Sequence, residues 1–452
     1  MTGERSWAED ALGLLLRRVE ETYGQVGDRF PLYADPDSGV WTSTGRGSWT
    51  GGFWAGLLWL RARHTGGEPD RSAAAAATAR LAPWVDADTA TRGLILWYGT
   101  ALAADDDVVA AALRERAAKA VLAGWDPVLG VVPWGAALGG PRLRARADGV
   151  PGLVPLLTAA GPQGRAAAAA HLHRHLDLCL DGDGGGRPHP AWRWAEPRRG
   201  RAPDADSVPE ADPVSGWVPE ADPAPGWARG ESWLLLAVAD GLLHVGGRRP
   251  GDVLPNGRLE GDPQDAPQGA PHGGAPLSAD PPSAGPPSTG PRSAAPSSAA
   301  PPSAAPPQAA PLHAAHEAPW LTGRLAESAE RLLLQGEFLD GPLVPPAEAG
   351  EPEGPVDTSA AAVAAVALLK LARVPGAGWA EACADRAEAV LRRLVEVHLT
   401  RPGGGGRPAG MLLDGCYDKG TGTAIGHELV WGDFFLALGL SGLLGRVDLT
   451  RT

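Results

Sequence analysis

GFWAGLLWLRARHTGGEPDRSAAAAATARLAPW, Gly52 to Trp84, sets an apolar-rich run and an Ala-rich run on either side of a Gly/Pro/Asp breaker. Apolar residues recurring every three to four positions predict helices over 52–65 and 71–84. The HTGGEPD between them ends the first helix and turns the chain back, which makes a helical hairpin. Outward from this unit the same period recurs. It predicts a helix over 5–24, with Ala8, Leu12, Leu15 and Val19 on one face. Further helices are predicted near 92–104, 106–123, 151–160, 163–180, 231–246, 322–336, 358–373, 378–398 and 432–445. Connections such as AADDD and LDGDGGGRPHP separate them, and few stretches read as strands. About twelve helices joined in antiparallel pairs close into two concentric rings of six, so the predicted fold class is all-α, an (α/α)6 barrel. An open solenoid would need a fixed repeat of about thirty to fifty residues, and the chain shows none.

The chain has 452 residues, 44% of them hydrophobic and 21% charged, a composition that supports a large core. Residues 250–319 depart from it, being Pro-, Ala-, Ser- and Gly-rich without apolar period. Such a tract buries too little apolar surface to offset its ordering entropy and is expected to be a disordered insertion. Residues 1–249 and 320–452 then form one barrel domain. A tandem duplication precedes the insertion: VPEADPVSGW, Val208 to Trp217, is followed at once by VPEADPAPGW, Val218 to Trp227. Net charge is -13, which argues against a nucleic-acid partner. No run of eighteen apolar residues exists, so no membrane span is expected, and the first residues, MTGERSWAED, lack the pattern of a signal peptide. A cytoplasmic location is expected. Cys179, Cys383 and Cys416 are too scattered for a zinc site or a disulfide framework and read as buried small hydrophobes. The 17 Trp against 5 Phe and 4 Tyr are the informative excess, since indoles suit both cores and sugar rings. His171, His173 and His175 read as a solvated helix surface rather than a metal site.

Four segments resemble the unsaturated glucuronyl hydrolases, glycoside hydrolase family 88. They are WTGGFWAGLLWL (Trp49 to Leu60), WARGESW (Trp227 to Trp233), DTSAAAVAAVALLKLA (Asp357 to Ala372) and LLDGCYDKGTGTAIGHELVWGDFFLALGLSGLL (Leu412 to Leu444). The resemblance implies a six-hairpin glycosidase barrel, in agreement with the helix count. It also implies hydration of the C4–C5 double bond of an unsaturated uronic acid at the non-reducing end of a lyase product, with collapse of the resulting hemiketal. This chemistry needs a carboxyl group that protonates the alkene and activates water, and neither metal nor cofactor. The partner is then an unsaturated uronyl oligosaccharide; the oligomeric state is not legible. The neighbouring unsaturated rhamnogalacturonyl hydrolases, and a non-catalytic sugar-binding barrel, are the alternatives.

Within RARADGVPGLVPLL, Asp148 matches the main catalytic aspartate of the family. The family's His-Asp pair falls on Ala90 and Thr91, and a threonine cannot act as a second carboxylate. Asp86 and Asp88 lie just upstream as displaced substitutes. Glu231, where the family commonly has Gln, is expected either to pair catalytically with Asp148 or to neutralise Arg229. Arg229 suits a uronate carboxylate through its planar fork. Trp227 and Trp233 are expected to stack on the sugar, with Trp49 and Trp134 as further aromatic contacts and His189 as a donor to substrate or water.

Overall fold

The computed structural model describes residues 5–103, 105–181, 186–195, 216–246, 318–403 and 406–452. The expected insertion lies outside them as far as residue 317, as does all but the last two residues of the first decapeptide copy. Eleven α-helices lie among the described residues: α1 (Ser6–Val26), α2 (Gly51–Thr65), α3 (Glu68–Ala79), α4 (Val108–Ala123), α5 (Leu153–Thr158), α6 (Pro162–Leu176), α7 (Ala228–His244), α8 (Ala318–Gln335), α9 (Thr358–Leu371), α10 (Ala380–Arg393) and α11 (Val430–Leu443).

The twelfth position is taken by a π-helical turn, Gly93–Trp97, and not by the regular helix expected over 92–104. The reason is crowding of the backbone. A Cβ on Gly93 would sit 2.3 Å from the Leu153 nitrogen and 2.7 Å from the Pro151 carbonyl, so this segment runs backbone to backbone against the start of α5. Thr100 also turns its hydroxyl back to the Leu96 carbonyl at 2.6 Å, competing with regular helical bonding.

Helix α2 packs on this π-helical segment, the segment on α5, α5 on α7, α7 on α9, α9 on α11, and α11 back on α2. That closes an inner ring of six. Helices α1, α3, α4, α6, α8 and α10 lie outside it, each against a neighbour in the inner ring. Burial follows the sequence pattern of each ring. Every residue of α9 and α11 is buried, as expected of helices apolar on all sides. Helix α10 buries only Cys383, Ala387, Val390 and Leu391, one stripe of an amphipathic helix. The centre of the barrel is filled by rings: Phe53 lies within 5.5 Å of Tyr98, Phe434 and Phe435, centroid to centroid, and 6.2 Å from Trp233.

Among the described residues seven short strands form two antiparallel sheets: β1 (Phe30–Ala34), β2 (Trp41–Thr44), β3 (Arg144–Arg146), β4 (Ala191–Trp194), β5 (Trp217–Pro219), β6 (Gly415–Asp418) and β7 (Thr423–Leu429). Their orders are β2-β1-β7-β6 and β3-β4-β5. They carry connections between helices and hold the residues described next. No described helix is long and apolar enough to cross a membrane.

Candidate active site

A cavity of about 480 Å³ is lined by residues from six places in the chain, among them Ala347 and Glu348 ahead of α9. Trp49 precedes α2; Thr91 and Leu94 come from the π-helical stretch; Trp134, Arg146 and Asp148 come from β3 and its flanks. The start of α7 supplies Trp227, Arg229 and Trp233, and β6 supplies Cys416, Tyr417 and Asp418. Asp148 sits in the single 3-10 turn Ala147–Gly149 that follows β3. The turn is fixed from behind by an Ala147 N–H bond to the Pro190 carbonyl at 2.9 Å.

Asp148 is held by the last residue of β3. Arg146 donates from Nε to Oδ1 at 2.9 Å and from its terminal nitrogen to Oδ2 at 3.2 Å, a forked pair. The guanidinium lies 4.7 Å over the Trp134 ring. Burial opposes the charge of Arg146, but Asp148, with Glu220 and Asp222 further off, outweighs it and raises its pKa above the ordinary arginine value. Thr91 also lines the cavity and shares a hydroxyl–hydroxyl hydrogen bond with Thr89 at 2.9 Å, so this position brings no second charge to the site.

Arg229 lines the cavity but has little left to offer a uronate. One terminal nitrogen donates to Asp357 at 2.9 Å and to the Cys416 carbonyl, and the other to the Tyr417 carbonyl at 2.6 Å. The guanidinium is sandwiched 5.2 Å from Trp227 and 5.4 Å from Trp431. Asp357 in turn caps α9 through the Ser359 N–H, so this buried pair ties α7, α9 and β6 together. Trp49, Trp134 and Trp227 are half-buried and line the hollow, and Trp49 donates to the Tyr417 hydroxyl at 3.3 Å. Trp233 also lines it but is only 1% exposed and stacks on Phe53 with ring planes 15° apart. It is part of the floor, not a free stacking face.

Glu231 requires a correction. It faces neither Asp148 nor Arg229, but lines a second cavity of about 400 Å³ between α7, α9 and α10, and its partner is Arg187 at 3.2 Å. The cause is helical spacing. Residues 229 and 231 lie about 200° apart on α7, so if Arg229 faces the first cavity, Glu231 faces away. Burial raises the Glu231 carboxyl to about 7, with Arg187 pulling the other way. His189 does not line the Asp148 cavity either; it is buried beside Trp192, 5.4 Å between rings, with Nδ1 unpartnered. Nor does Asp88 substitute for the missing carboxylate, since it accepts from Arg142 at 2.9 Å outside the cavity. The histidines expected on a solvated surface are otherwise placed. His171 and His175 are buried, 4.3 Å apart, and burial lowers His175 to about 4. His171 accepts from the Val132 N–H, packing α6 beneath the Asp148 turn.

Arg146, Asp222, Asp357 and Tyr417 were not singled out from the sequence. Arg146 alone had a local signal, its place two residues before Asp148. Arg229 and Asp357 are separated by 128 residues, and nothing local joins them.

Fold and site together define a six-hairpin α/α barrel with a carboxylate in a tryptophan-walled hollow. Among such barrels, its fold is that of the unsaturated glucuronyl hydrolases. The enzyme from Bacillus sp. GL1 superposes with a TM-score of 0.67 at 18% identity, over 96% of each chain. That from Streptococcus agalactiae gives 0.66 at 14% identity, over 99% of this chain and 94% of that one. A mutant of the latter, complexed with dGlcA-GalNAc6S, gives 0.60 at 14%, over 98% and 93%. In sequence, 65 residues are 40% identical to the unsaturated glucuronyl hydrolase of Bacillus sp. (strain GL1). That match spans 14% of this chain and 16% of that protein's length. No family model matches. The chain shares the fold of these enzymes.

Proposed function

We propose that this chain is a glycoside hydrolase that releases an unsaturated uronic acid from the non-reducing end of lyase-generated oligosaccharides. The observation that carries the reading is Asp148, which lines a cavity walled by Trp49, Trp134 and Trp227 in a barrel of this fold. The indoles offer flat faces to a pyranose ring. Asp148, once protonated, gives its proton to C4 of the alkene; water adds at C5, and its proton passes to the carboxylate. The C5 hemiketal then opens and releases the next sugar. All three cysteines are free and buried, in keeping with a reducing, cytoplasmic setting.

The test is loss of near-ultraviolet absorbance from unsaturated disaccharides of chondroitin, hyaluronan, heparin and rhamnogalacturonan. At least one glycosaminoglycan product should be consumed, and Asp148→Asn should slow this by about 10²-fold or more. Turnover of the rhamnogalacturonan product alone would assign the chain to the neighbouring activity. A specific observation also favours a barrel that binds sugar without turnover: Thr91 replaces a carboxylate while both Asp148 oxygens are held by Arg146. Saturable binding of every disaccharide with unchanged absorbance would establish that second reading.

A further inference from the structure

Among the described residues three cationic side chains line the cavity, and each already has a carboxylate. Arg229 is 6% exposed, with both terminal nitrogens spent on Asp357 and two carbonyls. Lys419 bridges Glu348 at 2.7 Å and Glu351 at 2.6 Å. Arg146 differs from both, because its partner is the carboxyl group assigned to catalysis. An anionic sugar entering this hollow therefore meets a cation that is bound to the acid.

We propose that Arg146 is the receptor for the substrate's carboxylate and that its transfer from Asp148 to the substrate releases Asp148 to act as an acid. The proposal rests on the functional reading above and names the group that makes the site select uronates. A guanidinium fork accepts one carboxylate as well as another in the same planar geometry, so the exchange conserves both charge-assisted hydrogen bonds. Trp134, 4.7 Å beneath the guanidinium, keeps the arginine in place while its partner changes. Glu220 and Asp222 also act on Arg146, but Glu220 is tied to Arg144 at 2.9 Å and Asp222 is exposed. His175 and Cys179 also lie within electrostatic reach of Asp148, both buried; neither contributes a charge there, the first lowered to about 4 and the second raised to about 12 by burial.

The exchange has a chemical consequence. While forked to Arg146, both Asp148 oxygens are occupied as acceptors; once the guanidinium moves to the uronate, those oxygens are freed beside the bound substrate. A carboxyl oxygen free of the guanidinium is what proton transfer to the alkene requires. The substrate's own carboxylate thus takes the electrostatic part of the aspartate that Thr91 replaces. An esterified uronide cannot do this.

The test is a double-mutant cycle on binding, read by tryptophan fluorescence with D-glucuronate, which has no double bond and is not turned over. Its methyl ester is the uncharged control, and near-ultraviolet circular dichroism confirms that each variant is folded. Asp148→Asn frees the arginine and should tighten glucuronate binding about tenfold; in an Arg146→Gln background the same change should give less than about twofold. An equal gain in both backgrounds would mean simple repulsion between Asp148 and the ligand and would overturn the proposal, as would no gain in either. If wild-type protein consumes unsaturated disaccharides while the cycle is flat, only the role of Arg146 fails. If folded variants bind no glucuronate and the wild type consumes nothing, the functional reading fails with it.

Discussion

Glu231 shows how much a single position decides. Its carboxyl is 4% exposed, faces apolar side chains such as Leu343, Val344 and Val356, and relies on Arg187 for its hydrogen bonds. Because it lies outside the Asp148 cavity, Glu231→Gln should leave kcat/KM within about threefold of wild type, measured by the absorbance assay. Its effect should appear in stability. The folded value is about 7, above the ordinary 4.5, so between those values the native state holds a proton that the unfolded chain has lost. Stability contributed by this group is therefore present below about 4.5 and is lost as the pH rises through about 7. Comparing urea unfolding of wild type and Glu231→Gln at acid and neutral pH should show the variant gaining relative stability on the order of 2 kcal/mol towards neutrality. A difference that does not change with pH would show that Glu231 titrates as an ordinary carboxyl.

At the level of elements, the barrel depends on inner helices approaching more closely than side chains allow. A Cβ on Gly52 would lie 2.3 Å from the carbonyl oxygens of both Leu94 and Ile95, so α2 meets the π-helical turn through bare backbone. Gly52→Ala must push that turn away, and with it Thr91 and Leu94 in the cavity wall. The expected cost is about 2–3 kcal/mol or more in chemical denaturation, where a Gly-to-Ala change in an unconstrained helix would stabilise by up to about 1 kcal/mol. A stabilised variant would show that the two segments can separate freely. The same crowding explains why the period over 92–104 predicted a regular helix that did not form: apolar spacing registers which face is buried, not how closely another backbone lies against it.

For the whole molecule, the domain assignment makes one further prediction. Helix α7 ends at His244, α8 begins at Ala318, and the two pack on each other as successive members of the rings. We propose that residues 250–317 are dispensable to the barrel. Replacing them with a short Gly/Ser linker should leave the melting temperature within about 3 °C and binding of unsaturated disaccharides unchanged, read by calorimetry and fluorescence. A large drop in melting temperature would make the tract part of the folding unit.

Much was legible in one dimension because helix period, breakers and composition are local properties: they marked the helices, their pairing into hairpins and the apolar character of the inner ring. The resemblance to known hydrolases likewise led to Asp148, Arg229 and four indoles, all of which line one cavity, and to His189 and Glu231, which do not. What lay beyond the sequence was partnership. Arg229 with Asp357 and Glu231 with Arg187 depend on how strands and helices from separate parts of the chain come together, and only Arg146 with Asp148 is a local pair. A charged group's chemistry is set by the charges and solvent within a few ångströms of it, and only the closed barrel fixes those neighbours.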